Sequence, residues 1–215
     1  MSNHNAKRFA EKWGYYFLII FFALVGLAVL FLRSRLGVDL TDEAWYSSEP
    51  YWVAKGSTPY VNNWTQASGF TLPLFLAHKL FLFFNGTNEG IILFSRTLYC
   101  VWKTVISMCS FILLKKAGIK IHPIFITPVI VFTISQLYDI NYNAIGWSYM
   151  LLALAAMFNI FRIDLKKHQK FNWGIITGMV IGRSVIGTPA SIAVCIVAIV
   201  VLIYEREWDG LKVLS

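Results

Sequence analysis

Charge is scarce in this chain. Asp, Glu, Lys and Arg make up 14% of its 215 residues, against about 25% in ordinary soluble domains. With 57% hydrophobic residues and a mean hydropathy of +0.61, the composition excludes disorder and argues against a water-exposed globule. Cysteine is also sparse. Cys100, Cys109 and Cys195 lie in apolar runs without paired spacing, which speaks against a disulfide framework or a structural zinc site. There is no P-loop, no GxGxxG, no HExxH and no internal repeat, so the common nucleotide and metalloprotease signatures are missing.

Long uncharged runs are what the sequence does have. Tyr15 to Leu32 holds 18 residues without a charge, between Lys7, Arg8 and Lys12 on one side and Arg33 and Arg35 on the other. A signal peptide has an apolar core of about 7–15 residues and a small-residue cleavage site. This run is longer and ends in Leu-Arg-Ser-Arg, which favours a retained span. Further runs lie between Glu89 and Lys115 (broken by Arg96 and Lys103), from Ile121 to Tyr138, from Ile140 to Phe161, and from Phe171 to Tyr204 with Arg183 as its one charge. The last run is short for two full spans. Its Gly174, Gly178, Gly182, Gly187 and Pro189 suggest two short helices meeting near Gly187; one long tilted helix is the alternative. The expected fold is all-α, a polytopic transmembrane helical bundle of about six spans.

The overall balance is +8, from 19 basic and 11 acidic residues. A basic balance can signal nucleic acid. In so apolar a chain it points instead to cytoplasmic loops, and no nucleic-acid partner is expected. Twelve of the 19 basic residues fall in the amino-terminal tail, two loops and the carboxyl end that alternate onto one side; Asp39, Asp42, Glu43, Glu49, Glu89 and Asp139 fall on the other. Basic loops face the cytoplasm. Residues 1–14 are therefore expected inside as a tail, the loop 33–89 outside, and residues 90–204 in the remaining spans of an integral membrane protein embedded in the bilayer.

The outer loop holds the chemically suggestive residues. Thr41 suits a helix N-cap, and Asp42 and Glu43 would fill the first turn, where the helix dipole favours negative charge. A carboxylate at the membrane–water boundary can also act as a general base on a substrate hydroxyl. Both readings stay open on these residues alone. Pro50 is expected to end or kink this helix at about Glu49. Trp45, Tyr46, Tyr51, Trp52, Tyr60 and Trp64 suit an interfacial belt and can equally stack on sugar rings. Phe70 to Phe84 is short for a span and contains His78 and Lys79, so an interfacial or embedded helix is expected. Arg96 and Lys103 are seven residues apart and share one helix face. Each costs roughly 2.5–3.5 kcal/mol to insert on translocon scales, so each calls for an anionic partner, a cavity or an interfacial exit. Arg183 faces the same choice. Asp139 sits in an outer turn and either lines the cavity of Asp42 or serves as an ordinary polar turn.

Taken in order, these pieces resemble the integral-membrane glycosyltransferases of the GT-C class, such as the protein O-mannosyltransferase-like and aminoarabinose-transferase-like families. The resemblance rests on a first span, then Asp42-Glu43 with Tyr46 three residues on, then Gly56-Ser57-Thr58-Pro59-Tyr60, Pro73 opening a second loop helix, Gly86 and Arg96 before the second span, and the Gly174–Pro189 stretch with Arg183. It covers nearly the whole chain and makes residues 1–215 one GT-C-like transmembrane module. It implies a polyprenyl-phosphate-linked sugar donor and an acceptor hydroxyl on a glycan, lipid or protein outside. Asp42 is then the catalytic base and Glu43 its supporting neighbour. Tyr46 and Asp139 belong to the substrate site, with Arg96, Lys103 or Arg183 addressing the donor phosphate. No cofactor is implied; a divalent metal stays open, and no ligand cluster points to one. A transporter or flippase of lipid-linked sugars, or a non-catalytic membrane partner, would use many of the same features. The chain ends in Glu-Trp-Asp-Gly-Leu-Lys-Val-Leu-Ser, like the start of an amphipathic segment, so a truncated or partial product is expected.

Overall fold

The computed structural model describes residues 3–36, 42–58, 61, 71–133, 138–162, 164–188 and 192–204. Among these residues there are eight α-helices and no strand. They are α1 (Asn3–Arg33), α2 (Asp42–Ala54), α3 (Thr71–Asn85), α4 (Ile91–Lys116), α5 (Ile126–Val131), α6 (Tyr142–Met157), α7 (Lys167–Gly187) and α8 (Ile192–Tyr204).

Helix α1 has 31 residues and contains no proline, which gives a rod about 46 Å long. Ile19, Ala23, Gly26 and Leu30 are buried along it, at the 4-3-4 spacing of a single helix face. Phe17, Phe21, Leu24 and Leu32 are at least half exposed, so most of the apolar surface of this helix points away from the protein. Two segments, Trp13–Arg33 and Ile91–Lys116, are long and apolar enough to cross a bilayer. The first is in addition the wall on which α4 and α5 pack. A Cβ on Gly26 would come within 3.1 Å of Ile130 Cβ and 3.2 Å of its Cδ1. Gly26 therefore sets the separation of α1 and α5. Gly26→Leu is expected to lower stability by about 1–3 kcal/mol through overpacking, read as a lower midpoint of thermal unfolding in detergent. A midpoint equal to that of the unaltered chain would deny this contact its spacing role.

The run Ile121–Tyr138 does not form the single span expected of it. It begins with a 3₁₀ turn, Pro123–Phe125, continues as the six-residue α5, and leaves the helix at Phe132, whose backbone is extended. Prolines 123 and 128 withdraw two backbone donors. Hydrogen bonds to α1 then hold the segment in place. Tyr15 Oη donates to Ile121 O (3.2 Å), Thr127 Oγ1 to Phe22 O (2.9 Å) and Arg33 Nη1 to Val131 O (3.0 Å). The segment thus climbs parallel to α1 from one end of the bundle to the other.

Pro50 also departs from expectation. Helix α2 runs through it to Ala54, with Glu49 and Pro50 both buried. Packing of α2 on α3 and α4 outweighs the missing N–H. The break near Gly187 does occur where the sequence puts it, since α7 stops at Gly187 and α8 starts at Ile192.

Helices α6 and α7 form the most extensive helix pair. Gly146, Ala153, Ala155 and Ala156 are buried on α6, and such small side chains let backbones approach closely. Ser184 Oγ donates to Gly146 O (2.8 Å) and Thr188 Oγ1 to Tyr142 O (2.7 Å), which fixes the pair as antiparallel. Asn141 caps α6 by accepting from Ala144 N at 2.8 Å. The chain therefore has two ends. Ser34, the start of α2, the start of α4, Asp139–Tyr142 and Thr188 gather at one. Tyr15 with Ile121, and Asn159 with Leu113 O (3.0 Å), mark the other.

Candidate functional site

The first of these ends contains the densest set of buried polar groups. Positions 43, 46, 47 and 50 of α2 are all buried, the 3-4-7 spacing of one face. That face turns Glu43 toward α4. Gly86 and Gly90 have φ of 71° and 80°, the left-handed region that glycine tolerates best. They turn the chain from α3 into α4, and Asn85 Nδ2 ties the turn by donating to Glu89 O at 3.0 Å. Arg96 then faces Glu43 from the second turn of α4.

The two side chains form a fork-to-fork pair. Arg96 Nε donates to Glu43 Oε1 at 2.5 Å and Nη2 to Oε2 at 2.6 Å, while Nη1 donates to the Ser34 carbonyl at the end of α1. Exposure is 4% for Arg96 and 1% for Glu43. One guanidinium therefore joins α1, α2 and α4. Such bidentate, charge-assisted bonds are among the strongest a side chain makes.

Asp139 is the second buried carboxyl here, 2% exposed. Its Oδ2 accepts from Ser47 Oγ at 2.6 Å and its Oδ1 from the Ile140 amide at 2.7 Å. Burial pushes its pKa up to about 7, and the charge of Glu43 adds to the rise; the Ser47 and Ile140 bonds and Arg96 pull the other way. Tyr46 stacks edge-on with Trp45 (4.7 Å between centroids) and lies 5.9 Å from the Tyr142 ring. Glu43, Tyr46, Arg96 and Asp139 are thus brought together. Asp42 opens α2 beside Glu43; its side chain lies outside the described residues, as do Thr41, Pro59 and Tyr60.

The other two cations lie apart from this cluster. Lys103 is two turns further along α4, bonded to the Phe132 carbonyl and, at 3.4 Å, to Tyr99 Oη. It borders a cavity of about 470 Å³ between α4, α5 and α6. Arg183 lies on α7 with its guanidinium 5.7 Å from the centre of the Tyr149 ring, a cation–π distance.

Two buried polar contacts escape the sequence reading. Ser47 is the donor to Asp139, and its only signal is its place on the buried face of α2. His78 is 1% exposed and bridges Leu74 O (3.1 Å, through Nδ1) and Ser95 Oγ (3.0 Å, through Nε2), which locks α3 to α4. Among the described residues no group of three His, Cys, Asp or Glu side chains is placed to hold a metal ion.

Compared with family models, curated proteins and solved structures, the chain matches none.

Proposed function

We propose that this chain is a multi-pass membrane glycosyltransferase of GT-C type. It takes a sugar from a polyprenyl-phosphate carrier and joins it to an acceptor hydroxyl on the outer face of the membrane. The observation that carries the reading is the buried Glu43–Arg96 pair. It holds the first turn of α2, and residue 42 with it, at the end of the bundle where Asp139 is also buried. Charge distribution supports the orientation. Lys115, Lys116, Lys120, Lys166 and Lys167 lie in loops or helix ends near the opposite pole, as cytoplasmic loops do. The exposed apolar side of α1 supports bilayer contact, and its buried face supports retention of the first span as part of the fold rather than its loss as a signal peptide.

In this reading six runs cross or enter the membrane, α3 lies at the outer interface, and α5 is a broken crossing lined by side-chain hydrogen bonds. Irregular backbone at membrane depth is tolerated where neighbouring groups satisfy it. The chemistry is a single displacement. Asp42 accepts the proton of the acceptor hydroxyl as its oxygen attacks the anomeric carbon. The bond from that carbon to the phosphate oxygen breaks, and a cation compensates the charge on the departing phosphate. Configuration is inverted. Arg96 serves by holding Glu43, and with it the start of α2.

A transfer assay separates this reading from transport. Purified chain in detergent is given a polyprenyl phosphate carrying a radiolabelled sugar, together with an acceptor alcohol. The expected result is label in a new glycoside. Donor binding or flipping without any such product contradicts the reading and favours a transporter.

A further inference from the structure

His78 joins α3 to α4 through both nitrogens of its ring, at 1% exposure. Leu74 O lies 3.1 Å from Nδ1, and Ser95 Oγ lies 3.0 Å from Nε2. A carbonyl only accepts, so Nδ1 carries the proton, and Nε2 of the neutral ring accepts from the Ser95 hydroxyl. The Phe94 ring stands edge-on to the imidazole, with 5.8 Å between centroids. This arrangement suits an uncharged ring. A second proton would sit on Nε2, where Ser95 now donates, and would bring a charge into a buried position. Burial lowers the pKa of His78, and the bond to Leu74 opposes that shift.

The rest of the α3–α4 interface is thin, because α3 packs mainly on α2. Phe81 stacks on Phe94 with 4.8 Å between centroids. Beside that stack lies a crevice of about 440 Å³ lined by Ala77, Leu80, Phe84 and Phe94. The bond from Ser95 is therefore a large part of what fastens α3 to α4. Ionisable groups surround it on each helix. On α3 the next residue is Lys79, which is exposed. On α4 Arg96 follows Ser95 and is held by Glu43. The other helix against α3 is α2, which carries Asp42, Glu43, Tyr46, Glu49 and Tyr51. The two atoms that bond the ring belong to uncharged groups, a carbonyl and a hydroxyl.

We infer that the His78–Ser95 contact is a pH-sensitive latch, in which protonation of the ring releases α3 from α4 while α6 and α7 stay packed. Above about pH 6.5 the ring is neutral whether α3 is docked or free, and the latch is closed. Below that value the released ring binds a proton that the docked ring excludes, so each fall in pH favours release. In the proposed orientation the latch responds to the pH outside the membrane. It goes beyond the transferase reading and does not depend on sugar transfer.

The test is hydrogen–deuterium exchange of the full chain in detergent between about pH 7.5 and about pH 4.5, corrected for the intrinsic pH dependence of amide exchange. Below about pH 6.5 the protection of α3 is expected to fall by up to about tenfold per pH unit, the slope of one proton taken up on release. Protection of α6 is not expected to follow. His78→Gln keeps a donor for Leu74 O and does not ionise, so its α3 is expected to show no such fall. Asp139 titrates in the same range with the opposite sign, and the comparison with His78→Gln removes its contribution. Ser95→Ala loses the bond that favours the neutral ring. Its α3 is expected to be less protected at about pH 7.5 and to lose less on acidification; this variant decides the matter if His78→Gln does not fold. Three results would each overturn the latch. One is the same α3 profile in the unaltered chain and His78→Gln, another is an unchanged profile in Ser95→Ala, and the third is joint loss of protection by α3 and α6.

Discussion

Replacing Glu43 by Gln is expected to destabilise the folded chain by about 3–5 kcal/mol, because it strands a buried guanidinium without its counter-charge. Arg96 is 4% exposed and spends Nε and Nη2 on the two oxygens of Glu43. A Gln side chain keeps one acceptor and removes the charge. The bond from Nη1 to Ser34 O goes to a neutral carbonyl and does not replace that charge. Arg96→Lys is expected to fall between the single variant and the unaltered chain, since an ammonium keeps the charge and loses the planar fork. The double variant Glu43→Gln/Arg96→Met is expected to recover a large part of the loss, because a pair removed together leaves no unpaired charge. Thermal or denaturant unfolding in a fixed detergent gives all four values. A loss of less than about 1 kcal/mol for Glu43→Gln, the range of an exposed ion pair, would mean that the pair does not fasten α2 to the bundle.

Asp139 is expected to make stability fall as pH rises from about 4 to about 7. Its pKa is pushed up to about 7 in the folded chain, chiefly by burial, and an unfolded Asp titrates near 3.9. Between these values the folded state holds a proton that the unfolded state has released, so unfolding becomes more favourable with each increase in pH. The full effect is up to about 4 kcal/mol, reached above pH 7 and absent below about pH 4. Other groups titrate in the same window, so the useful quantity is the difference from Asp139→Asn, which cannot ionise. The unaltered chain is expected to lose stability relative to Asp139→Asn across pH 4 to 7, and the two curves to run parallel above and below. Parallel curves throughout would place the titration of Asp139 in the ordinary carboxylate range. Ser47 moderates the effect, because its hydroxyl donates to Oδ2 at 2.6 Å and favours the ionised form.

Periodicity and punctuation made most of the helices legible. The first run, the helix after Gly86, and the break at Gly187 all follow from apolar length bounded by charge, glycine or proline. Ile121–Tyr138 was not legible as it stands, because its structure depends on partners remote in sequence. Tyr15, Phe22 and Arg33 supply the contacts that replace a regular helix there, and no local pattern announces them. The same reason explains α2. Local chemistry predicts an interruption at Pro50, and burial against α3 and α4 carries the helix past it.

At the site, residue types were legible and pairings were not. An Arg in an apolar run announces that it needs an anion. It does not say whether that anion is a lipid phosphate or a carboxylate 53 positions earlier in the chain, as Glu43 is. Lys103 presented the same pattern seven residues later and bonds a carbonyl and a phenol hydroxyl, those of Phe132 and Tyr99. Asp139 had two open readings; its burial and its bond to Ser47 follow from a contact 92 residues apart.

In the proposed reaction a carboxylate at the start of α2 takes a proton during sugar transfer. The most direct measurement is the rate of glycoside formation by Asp42→Asn, with donor in excess and with unfolding checked on the same sample. A folded variant whose rate falls by about 10²–10⁴ fold, the contribution of a general base, is the expected result. A folded Asp42→Asn that transfers sugar at the rate of the unaltered chain would contradict it.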